Sequence, residues 1–536
     1  MLKSLITIDT DAHGSLQAKL REKLSEAIVR GDFEEGVPLP STRGLGKQLG
    51  ISRNTVTLVY QDLAAEGVLN SQDRRGYFVS PNAVAHLAKT VAPAVDASRM
   101  DWGAKLAITP STYRSTSHPK DWRAKRYSFA YGQHDRWVFP ISNWRKCSRD
   151  SLSRHDIHDW TVDYVDTDDP LLLDAFRRRV LPRRGVAANN QQILVTVGAQ
   201  HALQLAAQCL IRPGTVVGVE EPCYPDARNV FHMFGAILKP LPVDDHGLVI
   251  SDVLKGCDIV YVTPSHQSPT TVVMSEHRRT ELLQMADRED FLIIEDDYDT
   301  ESRFGKCSTP ALKAHDRDGR VVYLTSLSKL LSPGLRVGFL VGAEPFIHEA
   351  RALRRLAIRH PPANNQRTIA LFLKGGHYEA LLKRFHEDYE HRWRTLRDAL
   401  TTWLPEARFA SSDGGSSMWL TMPDWVDTKR LSRLAYERSV HIEPGHPHFM
   451  NPQAPRNHLR LGFSSIKAED IADGIRIVAE VLAEMRHAYD APAAFGVSGP
   501  IPRAPDARPS HTAICKRLNK VENAWATISH EVALSS

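Results

Sequence analysis

No run of apolar residues in this chain approaches the roughly 18 needed to cross a bilayer, and its opening, MLKSLITIDTDAHG, is too short and too acidic for a secretory signal. A membrane-embedded or exported protein is disfavoured on that ground, and a cytoplasmic location is expected. Cysteine is scarce, with six residues in 536 (Cys147, Cys209, Cys223, Cys257, Cys307 and Cys515), and no two of them stand in Cys-x-x-Cys spacing. That pattern speaks against a disulfide framework and against a zinc site, so reduced thiols and no metal are expected. Charge of one sign is also in short supply. A formal net charge of +5 is too small in so long a chain to name a partner. Hydrophobic and charged fractions of 42% and 24% are ordinary for globular domains, which excludes disorder of the whole chain. The length exceeds what one core sustains, so two or more domains are expected.

What is present is unevenly distributed. Residues 1–80 hold ten Lys/Arg and ten Asp/Glu, yet 41–57 carry Arg43, Lys47 and Arg53 with no acid, a local patch that a phosphate backbone prefers. In LQAKLREKLSEAIVRG the spacing of Leu16, Leu20, Leu24 and Ala27/Ile28 predicts a helix with one core-facing side, stopping at Gly31. LPSTRGLGKQLGISRNTVTLVYQDLAAEGVL then reads as two short helices and a turn. Ser41 and Ser52 are the N-caps, Leu45 and Leu49 the first apolar stripe, Gly50 the break, and Val56, Val59, Tyr60 and Leu63 the second inner face. This is helix-turn-helix geometry. It sets Arg53, Asn54, Thr55 and Thr57 on the first turns of the recognition helix, where side chains reach base edges and amide dipoles face phosphate. In VLNSQDRRGYFVS, Val68/Leu69 and Tyr77/Phe78/Val79 flank a polar turn ending in Gly76, which predicts a β-hairpin wing carrying Arg74 and Arg75. With LPS-x-R, L-G-x-SR-x-TV, A-EG-x-L and the wing in order, residues 1–80 resemble the winged-helix head of GntR-type regulators. The resemblance implies that Arg43, Arg53, Thr55 and Gly76 contact DNA.

Residues 81–125 lack sustained periodicity and are rich in Ala, Pro, Ser and Thr, so they read as a flexible linker. From 126 to 490, short apolar runs (QILVTVG, VVGVEEP, DIVYVTP, FLIIEDDYD, VVYLTSLSK) alternate with amphipathic segments, the α/β pattern of a parallel sheet between helices. Ligands of such sheets bind beyond the carboxyl ends of the strands. Gly198-Ala199-Gln200 follows a strand and opens a helix, a backbone anion site suited to phosphate. The period of two in FLIIEDDYD puts Asp296 and Tyr298 on one face. A carboxylate under a pyridine nitrogen and a phenol beside the 3-oxygen is the arrangement an electron-sink cofactor requires. Lys329 offers an amine for a Schiff base, Ser326, Ser328 and Arg336 offer phosphate contacts, and Tyr224 offers a stacking ring. Residues 491–536 begin as a Pro/Ala-rich spacer, and no role is assigned to them.

Taken in order, the phosphate loop, the aromatic, Asp-x-Tyr, Ser-x-x-Ser-Lys and the arginine seven residues on resemble the fold-type-I aminotransferases that bind pyridoxal 5'-phosphate. That resemblance implies a fold-type-I transferase-like body with Lys329 as the residue that carries the cofactor. It also implies that Arg460, in NHLRLGFS, grips a ligand carboxylate. The whole layout, with IIEDDYD, TPSHQ-x-PT and SLSKLLSPGLRVG, resembles the MocR/GabR subfamily. This implies a DNA-binding regulator that works as a head-to-tail homodimer on an operator with two half-sites and senses a small amine, an amino acid or the cofactor. A working aminotransferase with an appended head is the alternative. Ser268 stands where those enzymes usually keep an asparagine against the cofactor oxygen, Thr271 where a glycine is usual, and Ser417 or Met418 near a usual histidine.

Overall fold

The computed structural model describes residues 15–490, apart from 34–35, 74, 82, 84–99, 134–137, 164, 303–308, 411–413 and 452. Arg74, much of the expected linker and the segment 491–536 therefore lie outside the described residues. The chain divides into two compact units, residues 1–107 and 108–536.

In the first unit, α1 (Leu16–Val29), α2 (Thr42–Leu49) and α3 (Arg53–Ala65) are followed by the hairpin strands β1 (Leu69–Gln72) and β2 (Gly76–Val79). Both predicted caps form: the Ser41 hydroxyl accepts from Gly44 N, and the Ser52 hydroxyl accepts from Thr55 N. Gly50 ends α2 at φ +69°, a conformation that costs glycine nothing. Leu20, Leu24, Leu45, Val56, Val59, Tyr60 and Leu63 make one buried cluster. Leu16 departs from the expected stripe. It is 42% exposed, because it occupies the first helical position, outside that cluster.

The second unit is built on an eight-stranded sheet in the order β4-β11-β10-β9-β8-β5-β6-β7. The strands are β4 (Ile193–Thr196), β5 (Val216–Glu221), β6 (Ile237–Asp244), β7 (Gly247–Leu248), β8 (Ile259–Val262), β9 (Leu292–Asp297), β10 (Val321–Ser326) and β11 (Gly338–Val341). The short β3 (Tyr127–Ser128) pairs elsewhere, with β14 (Val440–His441). The expected parallel sheet forms the centre of these eight strands, with antiparallel strands added at both sides. β6, β5, β8, β9 and β10 run parallel, but β11 is antiparallel to both β10 and β4, and β7 folds back on β6. The reason is local: only eleven residues (327–337) join β10 to β11, too few for a helical crossover, so the chain turns straight back.

The strand period of two divides the interior. Ile193, Val195, Tyr323 and Phe339 point into one core and Val260, Val262 and Ile293 into another on the same face. Leu194, Ile259, Ile294, Val322 and Leu340 join the opposite core, against α4 (Gly198–Leu210) and α5 (Pro225–Met233). A smaller sheet follows in the order β12 (Arg408–Phe409), β13 (Ser417–Thr421), β16 (His458–Gly462), β15 (Glu443–Pro444).

The stretch expected to be linker up to residue 125 is not free along its whole length. Ser115 donates to Asp226, Arg114 to the Phe449 carbonyl, and Asp121 accepts from Tyr436, so the described part from 108 onward lies on the second unit. Polar side chains anchor this segment, and an apolar-periodicity reading is blind to them.

Candidate functional site

Where β10 ends, at Ser326, the chain enters the tight loop that carries Lys329 and returns at Arg336 into β11. Both ends of the loop lie at the same end of the sheet, which is how residues seven apart reach one cavity. About 170 Å³ in volume, this cavity is lined by Ala199, Gln200, Tyr224, Ser268, Asp296, Tyr298, Ser326, Ser328, Lys329 and Arg336, ten positions singled out from the sequence. Tyr131, Leu203 and Tyr261 complete it. Gly198 is not among the lining residues, yet its role in the geometry is plain. At φ +77° it lets the Arg336 guanidinium come against its Cα, where an added Cβ would stand 2.6 Å from Nη2. Arg336 Nη2 donates to Val197 O, and Arg336 itself sits at φ +49°.

The floor of the cavity is Asp296, 6% exposed. Its Oδ2 accepts from the Tyr261 hydroxyl at 2.8 Å, while Oδ1 is buried without a hydrogen-bond partner. An orphaned buried carboxylate oxygen is costly unless a donor arrives from a ligand. Burial raises the Asp296 carboxyl to about 6, opposed by the Tyr261 bond. Burial also lowers the Lys329 ammonium to about 8, against the pull of Asp299. The amine lies 4.0 Å from the Tyr131 ring centroid and 6.0 Å from that of Tyr298. Burial pushes the Tyr298 and Tyr131 hydroxyls well above the usual phenol range, so both stay protonated. At the phosphate-type end, Ser326 Oγ donates to Ser328 Oγ at 2.9 Å and accepts from Ser328 N. Tyr224 donates to Gln200 Oε1, which fixes its ring at the rim. A protonated ring nitrogen at Asp296, an aldehyde at Lys329 and a phosphate dianion at the α4 N-terminus and Arg336 all match what these residues offer. Thr271, where the resemblance had a glycine, holds the left-handed backbone (φ +67°) nonetheless.

Arg460 is not itself a lining residue but packs on one, Tyr131. It is 4% exposed, stacks 3.8 Å over the Tyr131 ring, and donates through Nε and Nη2 to Glu443 Oε2 at 3.0 and 2.8 Å. The carboxylate grip expected of it is already taken by an internal carboxylate. Glu443 went unnoticed in the sequence, as did Tyr131 and Tyr261. The one available signal was Tyr261, one residue short of a strand's carboxyl end; nothing linear marks Glu443.

In the first unit, Arg43, Lys47, Arg53, Asn54 and Arg75 are exposed on α2, α3 and the hairpin. Two of the polar candidates are engaged internally. Thr57 Oγ1 donates to Arg53 O, and Thr55 Oγ1 shares a hydrogen bond with Ser52 Oγ, so their hydroxyls stabilise the helix start. Gly76 adopts φ +107° at the wing's turn.

Comparison with known proteins accounts for both units. Residues 16–79 match the model of bacterial regulatory proteins of the gntR family, and 131–478 match aminotransferase class I and II. The chain is 42% identical over 470 residues to the HTH-type transcriptional regulator TauR of Rhodobacter capsulatus, covering 88% of this chain and 97% of that one. It is 30% identical to the probable rhizopine catabolism regulatory protein MocR of Rhizobium meliloti, over 88% and 94%. Among solved structures, the α-aminoadipate aminotransferase LysN of Thermus thermophilus, crystallised with N-(5'-phosphopyridoxyl)-L-leucine, superposes with a TM-score of 0.66 at 28% identity, covering 72% of this chain and all of that one. With an N-terminal winged helix-turn-helix and a large class I and II aminotransferase fold in one polypeptide, the chain belongs to the GntR-type transcriptional regulators of the MocR/GabR kind.

Proposed function

We propose that the chain regulates transcription in a pyridoxal 5'-phosphate-dependent way: residues 1–80 bind a two-part DNA operator, and residues 126–490 bind the cofactor and sense a small amine, an amino acid or the cofactor itself. The observation that carries this reading is the unpartnered, buried Asp296 Oδ1 in the cavity it shares with Lys329. When bound, the cofactor supplies an electron-sink ring and an aldehyde that reacts with amines. Lys329 would hold that aldehyde, Asp296 would accept from the ring nitrogen, and Tyr298 with Ser268 would flank the ring oxygen. Tyr224 would cover the ring. Ala199, Gln200, Ser326, Ser328 and Arg336, with Gly198 permitting the close approach, would hold phosphate. Arg460 would take an effector's acid group by sharing it with Glu443 or displacing Glu443. On the head, Arg43, Arg53, Asn54 and Arg75 would meet DNA directly, while Thr55, Thr57 and Gly76 shape the helix start and the wing that present them. Two chains in a head-to-tail homodimer would supply two heads.

The test is spectroscopic and functional together. Purified protein mixed with pyridoxal 5'-phosphate should develop a visible absorbance band that Lys329→Ala lacks, and amines that shift the band should change operator affinity in a gel-shift titration. No band under any loading condition would refute cofactor binding. Sustained keto-acid production from an amino donor would instead favour the working aminotransferase.

A further inference from the structure

One side chain and a distant pair two residues apart converge on one point of the second unit, outside the lining of the cavity above. His118 Nδ1 stands 3.1 Å from His441 Nε2 and 3.5 Å from Glu443 Oε1, and the three donor atoms all lie within 4.8 Å of one another. We propose that His118, His441 and Glu443 form a binding site for one divalent transition-metal ion of the zinc class.

Metal–ligand distances of about 2.0–2.1 Å at a tetrahedral angle put donor atoms about 3.3 Å apart, and the two separations bracket that value. Two imidazoles and one carboxylate are a donor set that suits zinc and its first-row neighbours. Imidazole ligates through a ring nitrogen lone pair, and His118 Nδ1 and His441 Nε2 are the two ring nitrogens that face each other here. Glu443 is placed rather than loose. Its Oε1 accepts from Tyr131 N at 2.7 Å, leaving a second lone pair, and its Oε2 takes the Arg460 guanidinium. An ion here would therefore sit one carboxylate away from Arg460. His441 and Glu443 also line a groove of about 550 Å³, which gives water access to a fourth coordination position. The sequence expectation of no metal rested on cysteine spacing. It could not see a site assembled from position 118 and the distant pair 441 and 443.

The competing account is that the two rings merely share one N–H···N hydrogen bond. Full-length protein, stripped with a chelator and titrated with Co²⁺ and then Zn²⁺, separates the two. The expected result is one equivalent of Co²⁺ per chain with the intense visible bands of tetrahedral coordination, displaced by Zn²⁺. Affinity should fall by about a hundredfold or more in His118→Ala and in His441→Ala, at or beyond the upper end of what losing a ligand's hydrogen-bond partner costs. His118 is only half-buried, so its variant should fold, and thermal unfolding checks this: Zn²⁺ should raise the midpoint of the wild type and not of His118→Ala. Substoichiometric binding by the wild type, or equal affinity in wild type and both histidine variants, would overturn the site. None of these readouts depends on cofactor or DNA binding.

Discussion

At the scale of single residues, the cavity works by desolvation. Lys329 and Asp296 would be ordinary charges in water; enclosed together, one is pushed down to about 8 and the other up to about 6, in each case mainly by burial. A lysine captures an aldehyde only as the free amine, and a lowered value enlarges that fraction at neutral pH. The sign is definite: below about 8 the neutral fraction rises about tenfold per pH unit, and above it the fraction levels off. The initial rate of band formation with pyridoxal 5'-phosphate, measured by stopped flow between about pH 6 and 10, should follow that curve. A rate still climbing steeply to about pH 10, as for an exposed lysine, would contradict the desolvated site.

Elements meet here through glycines and helix starts. Gly338 opens β11 directly against the N-terminus of α4. A Cβ at 338 would stand 2.5 Å from the Gly198 carbonyl carbon and 2.8 Å from Ala199 N, both backbone atoms that cannot swing away. Gly338→Ala should cost about 1–3 kcal/mol through overpacking and displace the turn that opens α4. Thermal unfolding should show a lowered midpoint, and spectral titration a weakened hold on the cofactor. In the head, α3 presents the Arg53 side chain exposed at its first position. Arg53→Ala should leave the unfolding midpoint nearly unchanged and weaken operator binding by about 1–3 kcal/mol. Gel shifts at fixed salt measure this, and unchanged affinity would remove Arg53 from the interface.

For the whole molecule, the two units have separate chemistry and separate cores, and regulation requires that a ligand on one bias the other. A ligand can do so only through differential affinity for two conformations, typically about 1–3 kcal/mol of coupling. The proposed homodimer would carry two heads, so nuclease footprinting should reveal two protected half-sites, and destroying either one should weaken binding. Protection of a single short half-site would argue against two-headed binding.

The sequence by itself determined the helix-turn-helix and most residues of the cavity. Caps, breakers and apolar periodicity act over a few residues, and Ser41, Gly50 and Ser52 each do their work within one helical turn. The strand period likewise sent Asp296 and Tyr298 to one side, and the chain's return at Arg336 lies only seven residues beyond Lys329. Only tertiary structure decided what depends on long-range contact. The docking of residues 108–125, the pairing of Glu443 with Arg460 and the approach of His118 to His441 all join positions that no local rule connects. Their partners are chosen by which buried charges and donors must be satisfied once the cores have closed, and that requirement exists only in the folded chain.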